Sequence, residues 1–261
     1  MVRRSTLAVA LVVALASLSG CSAVLDGGNG DGVGNGAGEG DPSTFDYADG
    51  YGPDGVTDGQ AAVRSHQSGV VDRGSYTGSY TYTIDTEEGT TEIEVDYRVD
   101  FEAEQGLQRA DVTYPGQEGV ITTYRDSDTR YQRSEFDNQT SVRTANDSFD
   151  ATNLTATEIV RPLLENVSAY DSSTDERNGD AVVVYETNGT DGVKAFLNVN
   201  ESATITDFSA TVAVDGDGVV RSASYEVSYE VDGDERELSV EYELSGFGET
   251  AVERPAWVEN A

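Results

Sequence analysis

The feature that most limits the fold of this chain is a strict two-residue alternation between Glu92 and Ala103. Ile93, Val95, Tyr97, Val99, Phe101 and Ala103 alternate with Glu92, Glu94, Asp96, Arg98, Asp100 and Glu102. Successive side chains of a strand point to opposite faces, so the stretch presents one apolar and one charged face. The same period carries Tyr76, Tyr80, Tyr82 and Ile84, then Ala210, Val212 and Val214. It returns in Ala223, Tyr225, Val227, Tyr229 and Val231, and in Leu238, Val240, Tyr242 and Leu244. Shorter strands are predicted over 107–114, 120–125 and 129–135, and a continuous apolar run over 181–185. Turn residues separate them, among them Glu87-Glu88-Gly89, Pro115-Gly116, Asp126-Ser127-Asp128, Asp215-Gly216-Asp217-Gly218 and Asp232-Gly233-Asp234. Strands at this spacing form an antiparallel meander.

Two segments keep a helical period instead. Thr57-Asp58-Gly59-Gln60 reads as a capping box ahead of Ala61, Ala62, Val63, His66, Val70 and Val71, a helix near 58–73 that carries an internal Gly69. Thr155-Ala156-Thr157-Glu158 reads as another, ahead of Ile159, Val160, Leu163, Leu164 and Val167, a helix near 156–169. Pro162 lies too deep for an N1 proline and predicts a kink or a late start. Between 135 and this helix the chain reads as a polar loop.

A one-sided antiparallel sheet of eight or more strands has to cover its apolar face, and only two helices are on offer. The expected fold is therefore α+β and mainly β: a curved antiparallel sheet, a half-open barrel with the helices on its concave side. A two-sheet sandwich with peripheral helices is the alternative. Three regions are expected: a signal peptide over 1–20, a flexible tether over 21–44 and a single domain over 45–261.

The first region rests on Arg3 and Arg4, followed by an apolar run of about a dozen residues from Leu7 to Leu18. That run is shorter than the roughly 20 residues of a membrane-spanning helix. It ends in Leu18-Ser19-Gly20-Cys21, which holds the only cysteine of the chain. The stretch resembles the lipobox of bacterial and archaeal lipoproteins, which implies lipidation of Cys21 and anchoring to a membrane. Arg3-Arg4 also resembles a twin-arginine export signal. From Gly27 to Gly40, eight of fourteen positions are Gly, a composition that behaves as a flexible coil.

Charge adds a second bound. The 261 residues carry 49 Asp and Glu against 16 Lys and Arg, a net charge of −33, and Lys194 is the single lysine. Self-repulsion on this scale calls for screening by salt, and the balance is similar to that of proteins from extreme halophiles, especially haloarchaea. No basic footprint is present for nucleic acid.

With these features together the chain resembles a family of haloarchaeal secreted lipoproteins of unknown function. The resemblance rests on the lipobox and Gly-rich tether, on Tyr51-Gly52-Pro53-Asp54-Gly55-Val56-Thr57-Asp58 and on the ending Val252-Glu253-Arg254-Pro255-Ala256-Trp257. The element order is similar to the LolA/LolB lipoprotein carriers and the LppX/LprG lipid-binding lipoproteins. That likeness implies a cavity for acyl chains between half-barrel and helices. The candidate wall comprises Tyr80, Tyr82, Val95, Tyr97, Val99, Tyr225, Val227, Tyr229, Val240 and Tyr242.

Catalytic signals are few. His66 is the only histidine, so a two-histidine zinc helix is excluded, and its place on the apolar side of a helix points to packing. No Gly-x-Ser-x-Gly elbow occurs. The Asp-Gly-Asp-Gly turn at Asp215 lacks an EF-hand's remaining ligands and reads as a tight turn. No enzyme activity, metal or cofactor is expected. Six of eleven asparagines, Asn138, Asn146, Asn153, Asn166, Asn188 and Asn200, start an Asn-x-Ser/Thr sequon, which suggests glycosylation outside the membrane. The expected function is a lipid-anchored extracellular protein that binds or carries a lipid or other apolar molecule. The alternative is a non-enzymatic structural or interaction module of the cell envelope with a closed core.

Overall fold

Alternation of this kind does produce long strands, and their pairing is consecutive. The computed structural model describes residues 42–261 except 168–169, 178, 191, 198–202 and 232. The signal-like segment with Arg3, Arg4, Leu18, Ser19, Gly20 and Cys21 lies outside the described residues, as do most of the tether and Asn200.

A two-stranded ribbon, β1 (Tyr51–Gly52) and β2 (Gly55–Val56), precedes helix α1 (Gly59–Asp72). Six hairpin-linked strands follow: β3 (Ser75–Thr86), β4 (Gly89–Asp100), β5 (Gln105–Tyr114), β6 (Gln117–Arg125), β7 (Thr129–Phe136) and β8 (Gln139–Asn146). Helix α2 (Thr157–Asn166) leads to β9 (Asp171–Arg177) and β10 (Asp180–Thr187), and a short helix α3 (Val193–Leu197) to β11 (Thr204–Asp215), β12 (Val220–Val231) and β13 (Asp234–Ser245). The large sheet runs β8-β7-β6-β5-β4-β3-β13-β12-β11-β10-β9, with every described pairing antiparallel. Two meanders thus meet where β13 pairs with β3. The sheet is curved and unclosed, with the helices on its concave side.

The register carries the alternation across strands. Val95, Tyr80, Tyr242, Ala223, Val212 and Tyr185 are successive cross-strand partners and share one face. Ile93, Tyr82, Val240, Tyr225 and Ala210 form the next row. The buried apolar side chains of α1 (Ala62, Val63, Val70) and α2 (Val160, Leu163, Leu164) belong to the same core as most of these residues. Gly78 makes room within this face, because a Cβ there would sit 2.6 Å from Leu244 and 3.2 Å from the Tyr76 ring.

The helix starts differ in detail from the sequence expectation. Asp58, not Thr57, caps α1, its carboxylate accepting from the Ala61 N–H. The residue before α2 is Ala156 in the left-handed region, with no side-chain cap, and Thr155 instead shares a 2.6 Å hydrogen bond with Thr157. Pro162 lies inside α2, so the late start does not occur. Gly69 is explained by proximity: a Cβ there would approach Val219 to 2.6 Å, so the glycine lets α1 sit close to the β11–β12 turn.

Further elements escaped the sequence reading, the β1–β2 ribbon among them. Residues 139–146, expected as loop, form β8, and β9 and α3 were likewise not foreseen. Every residue of β8 is exposed and none of β9 is buried, so neither had an apolar alternation to show. The expected strand through Ala103 ends at Asp100, where Phe101 enters a turn.

The two described stretches that carried the family resemblance are structural fasteners. Tyr51 stacks on Tyr185 with ring centroids 6.2 Å apart, and the Tyr185 hydroxyl donates to the Gly52 carbonyl at 2.8 Å. At the other terminus Val252 and Val258 form a small cluster with Tyr124, against which Leu107, Tyr131 and Trp257 pack. Arg254 lies over the rings of Tyr124 and Tyr131.

Candidate functional site

The concave face is where apolar surface, polar groups and partial exposure coincide. All ten residues of the expected wall lie on this face of β3, β4, β12 and β13. Val95, Val99, Val227, Tyr229, Val240 and Tyr242 are buried, while Tyr80, Tyr82, Tyr97 and Tyr225 are half-buried. The accessible part of the wall is therefore four tyrosines, with Ile84 beside them in β3 and the half-buried Ile159 of α2 packed against the same core.

Other tyrosines are spent on structure. The Tyr76 hydroxyl donates to the Leu154 carbonyl at 2.7 Å, Tyr170 to Leu163 at 3.3 Å, and Tyr51 to Gly218 at 3.3 Å. Tyr80 and Tyr97 differ: their rings lie 5.8 Å apart and their hydroxyls hydrogen-bond to each other. Tyr242 is covered with its hydroxyl unpaired among the described residues. Burial pushes the Tyr80 hydroxyl up to about 12 and raises those of Tyr82, Tyr97, Tyr225 and Tyr242 too, so the wall is uncharged at neutral pH.

One carboxyl faces this wall. Glu158, in the first turn of α2, acts electrostatically on Tyr76, Tyr80, Tyr97 and Tyr242. It stays exposed, yet desolvation by the surrounding protein raises its pKa against its own backbone hydrogen bond and Arg161. Sequence reasoning missed Glu158 because, among so many acids, only the placement of α2 singles it out.

The remaining candidate groups are occupied. Both His66 ring nitrogens are used: Nδ1 accepts from the Val220 N–H at 3.1 Å, so Nε2 carries the proton and donates to the Thr155 carbonyl at 3.0 Å. Burial depresses its pKa to about 4. Asp215 Oδ1 accepts the N–H groups of Asp217 and Val219, and Oδ2 accepts Arg73 at 2.8 Å and Arg221 at 3.3 Å. Its carboxylate closes the turn and anchors α1 to β12. Among the described residues no three His, Cys, Asp or Glu side chains come together as a metal site.

Two surface depressions lie outside the four half-buried tyrosines of this wall. One, of about 400 Å³, is lined by Asp85, Glu230, Glu235, Arg236 and Glu237 with Tyr229 at the β12–β13 end. The other, of about 770 Å³, lies between the β5–β6 and β7–β8 turns. No described helix is long and apolar enough to cross a membrane.

Residues 5–261 match the model of a family described as "family of unknown function (DUF7537)". No curated protein matches the chain. Among solved structures it is similar to LprF from Mycobacterium bovis, at 10% identity and a TM-score of 0.37, over 76% of this chain and 95% of that one. It is also similar to a LolA superfamily protein from Nitrosomonas europaea, at 7% identity and a TM-score of 0.27, over 77% and 96%.

Proposed function

The chain belongs to a family of unknown function, DUF7537, so its role has to come from its own geometry, and we propose that it binds or carries a lipid or other apolar molecule on the concave face. The observation that supports this is the set of half-buried tyrosines, Tyr80, Tyr82, Tyr97 and Tyr225, held on a rigid sheet above a buried core. Their rings offer apolar contact while their neutral hydroxyls and the Glu158 carboxyl offer hydrogen bonds to a polar end. The buried side chains of α1 facing this core are mainly Ala and Val, which cover less surface than Leu or Phe and leave the wall partly open.

In this reading Cys21 carries the lipid that holds the protein on the outer side of a membrane, and the Gly-rich segment is the tether. The domain works as a binder without chemistry of its own. A second reading, a closed structural or interaction module of the envelope, is favoured by one observation: six of the ten wall residues are buried, and neither depression is lined by Tyr80, Tyr82, Tyr97 or Tyr225.

The readings separate by extraction. Protein purified from its native membranes without added lipid is expected to release an apolar molecule at near one per chain on solvent extraction, detected by mass spectrometry. Replacing Tyr80 and Tyr97 together by Ala should lower that yield severalfold while the circular dichroism spectrum stays the same. An empty extract from the unaltered protein would establish the closed module instead.

A further inference from the structure

The two edges of the large sheet are finished in different ways. An edge strand presents unpaired backbone N–H and C=O groups, and proteins blunt it with charge, proline, a bulge or a cover. Strand β9 uses charge and cover: it carries Asp171, Asp175, Glu176 and Arg177, and the Ser172 hydroxyl donates to the Pro53 carbonyl of the β1–β2 turn. Strand β8 has a single charge, Arg143, and none of the other devices. Its sequence Gln-Thr-Ser-Val-Arg-Thr-Ala-Asn contains no acid, no lysine and no proline, and all eight residues are exposed. Its pairing with β7 runs unbroken from Gln139 to Asn146 without a bulge. Val142 is also the one exposed large hydrophobic residue among those described, at 42%. Such an edge is a template for pairing with another strand.

What stands at the two ends of β8 is a pair of sequons, Asn138-Gln139-Thr140 and Asn146-Asp147-Ser148. Asn138 occupies the two-residue β7–β8 turn with φ +60°, next to Asp137 at φ +50°. A turn of that kind favours Asn by itself, but it does not call for the hydroxyl at Thr140. Asn138 and Asn146 are both exposed, and neither side-chain amide is tied to another described group. The other sequons in this part of the chain differ: the Asn153 amide donates to Asp150 at 3.1 Å, and the half-buried Asn166 donates to the Pro162 carbonyl at 2.9 Å. Glycosylation consumes that amide nitrogen, so a nitrogen already bonded is a poorer acceptor. The two free amides lie roughly 27 Å apart at about 3.4 Å per residue, one at each end of the bare edge.

We propose that Asn138 and Asn146 carry N-linked oligosaccharides and that these two glycans block edge-to-edge pairing of β8. The blocking is steric: a hydrated sugar at each end prevents a second strand from aligning along the eight-residue edge. Asn188 is exposed with an untied amide as well, but it follows β10 and plays no part at this edge.

Glycopeptide mapping of the full chain from its native host tests the first half. Peptides covering Asn138 and Asn146 are expected to be modified in most molecules and the Asn166 peptide to be bare; bare peptides at 138 and 146 overturn the proposal. For the second half, N138Q/N146Q is compared with the unaltered protein by light scattering in molar salt. The unmodified variant is expected to form dimers and higher species with rising concentration. Adding V142K, which charges the bare edge, should return it to the monomer. T140A/S148A removes both sequons while keeping both asparagines, and should associate in the same way, which guards against a folding defect in the first variant. Variants that lack both glycans and stay monomeric overturn the blocking role, as does association that V142K leaves intact.

Discussion

Strands β8 and β12 belong to one antiparallel sheet and pair with their neighbours by the same backbone bonds, yet they could hardly be more different as surfaces. In β12, Val227 is fully buried between Leu238 of β13 and Phe208 of β11, and α3 packs along β11 beside them. In β8 nothing is buried, and in β7 every residue is only half-covered. Pairing alone therefore does not create a core here. The helices decide where the core lies, because they roof one end of the sheet and leave β7 and β8 projecting. What cover the β5–β7 side does receive on its convex face comes from the chain's own C-terminal segment, through Val252, Trp257 and Val258.

The largest effect should come from the roofed end. Replacing Phe208 by Ala empties a fully buried site where transfer and cavity terms add, and a loss of about 3–5 kcal/mol in unfolding free energy is expected. Denaturant titration in molar salt measures it. A cost under about 1 kcal/mol would mean that the β11–β12 end is as loosely covered as β8, and the contrast would fail.

Next in size is a pH effect confined to the roofed end. His66 holds the Thr155 carbonyl and the Val220 N–H at once, which it can do only as the neutral ring. Its pKa falls from an ordinary 6.5 to about 4 in the folded chain, chiefly through burial. The unfolded chain thus takes up a proton between those values while the folded chain does not. Stability from this group is complete above about pH 6.5 and drains away as the pH falls toward 4, by about 3 kcal/mol in total. Asp215 and Glu158 act with the opposite sign, since desolvation raises both carboxyls and acid relieves them. The measurement is therefore a difference: His66→Gln should be less stable at pH 7 but lose about 2 kcal/mol less than the unaltered protein between pH 7 and 4.5. Equal losses in both would remove His66 as the acid-sensitive tie.

The same contrast explains what was legible in the sequence. Strands β3, β4, β12 and β13 were readable because one of their faces is buried, and burial is what writes a two-residue alternation into a sequence. Asp171–Arg177 and Gln139–Asn146 bury nothing, so their residues carry no such mark, and only the pairing of β8 with β7 and of β9 with β10 reveals them. The candidate wall was legible as a face, since alternation fixes which side chains share one. Which of its residues stay reachable depends on where α1 and α2 lie, and that is a long-range outcome: His66 and Thr155, 89 positions apart, fix one helix against the loop before the other. Glu158 was hidden for the same reason.

The smallest expected effect is at Val142, and its smallness is informative. A valine in a strand ordinarily earns its place by packing, and removing a buried one costs a few kcal/mol. Val142 is 42% exposed on an edge strand whose neighbours Ser141 and Arg143 are exposed as well. Val142→Thr keeps the β-branched shape and the strand preference, so its unfolding free energy should stay within about 0.5 kcal/mol of the original, measured on the same denaturant scale as Phe208→Ala. A loss above about 1 kcal/mol would show that the projecting end is covered in solution, by another copy of the chain or by a partner. Repeating the titration at tenfold lower protein concentration separates these from a purely internal effect, because only cover by a second molecule weakens on dilution.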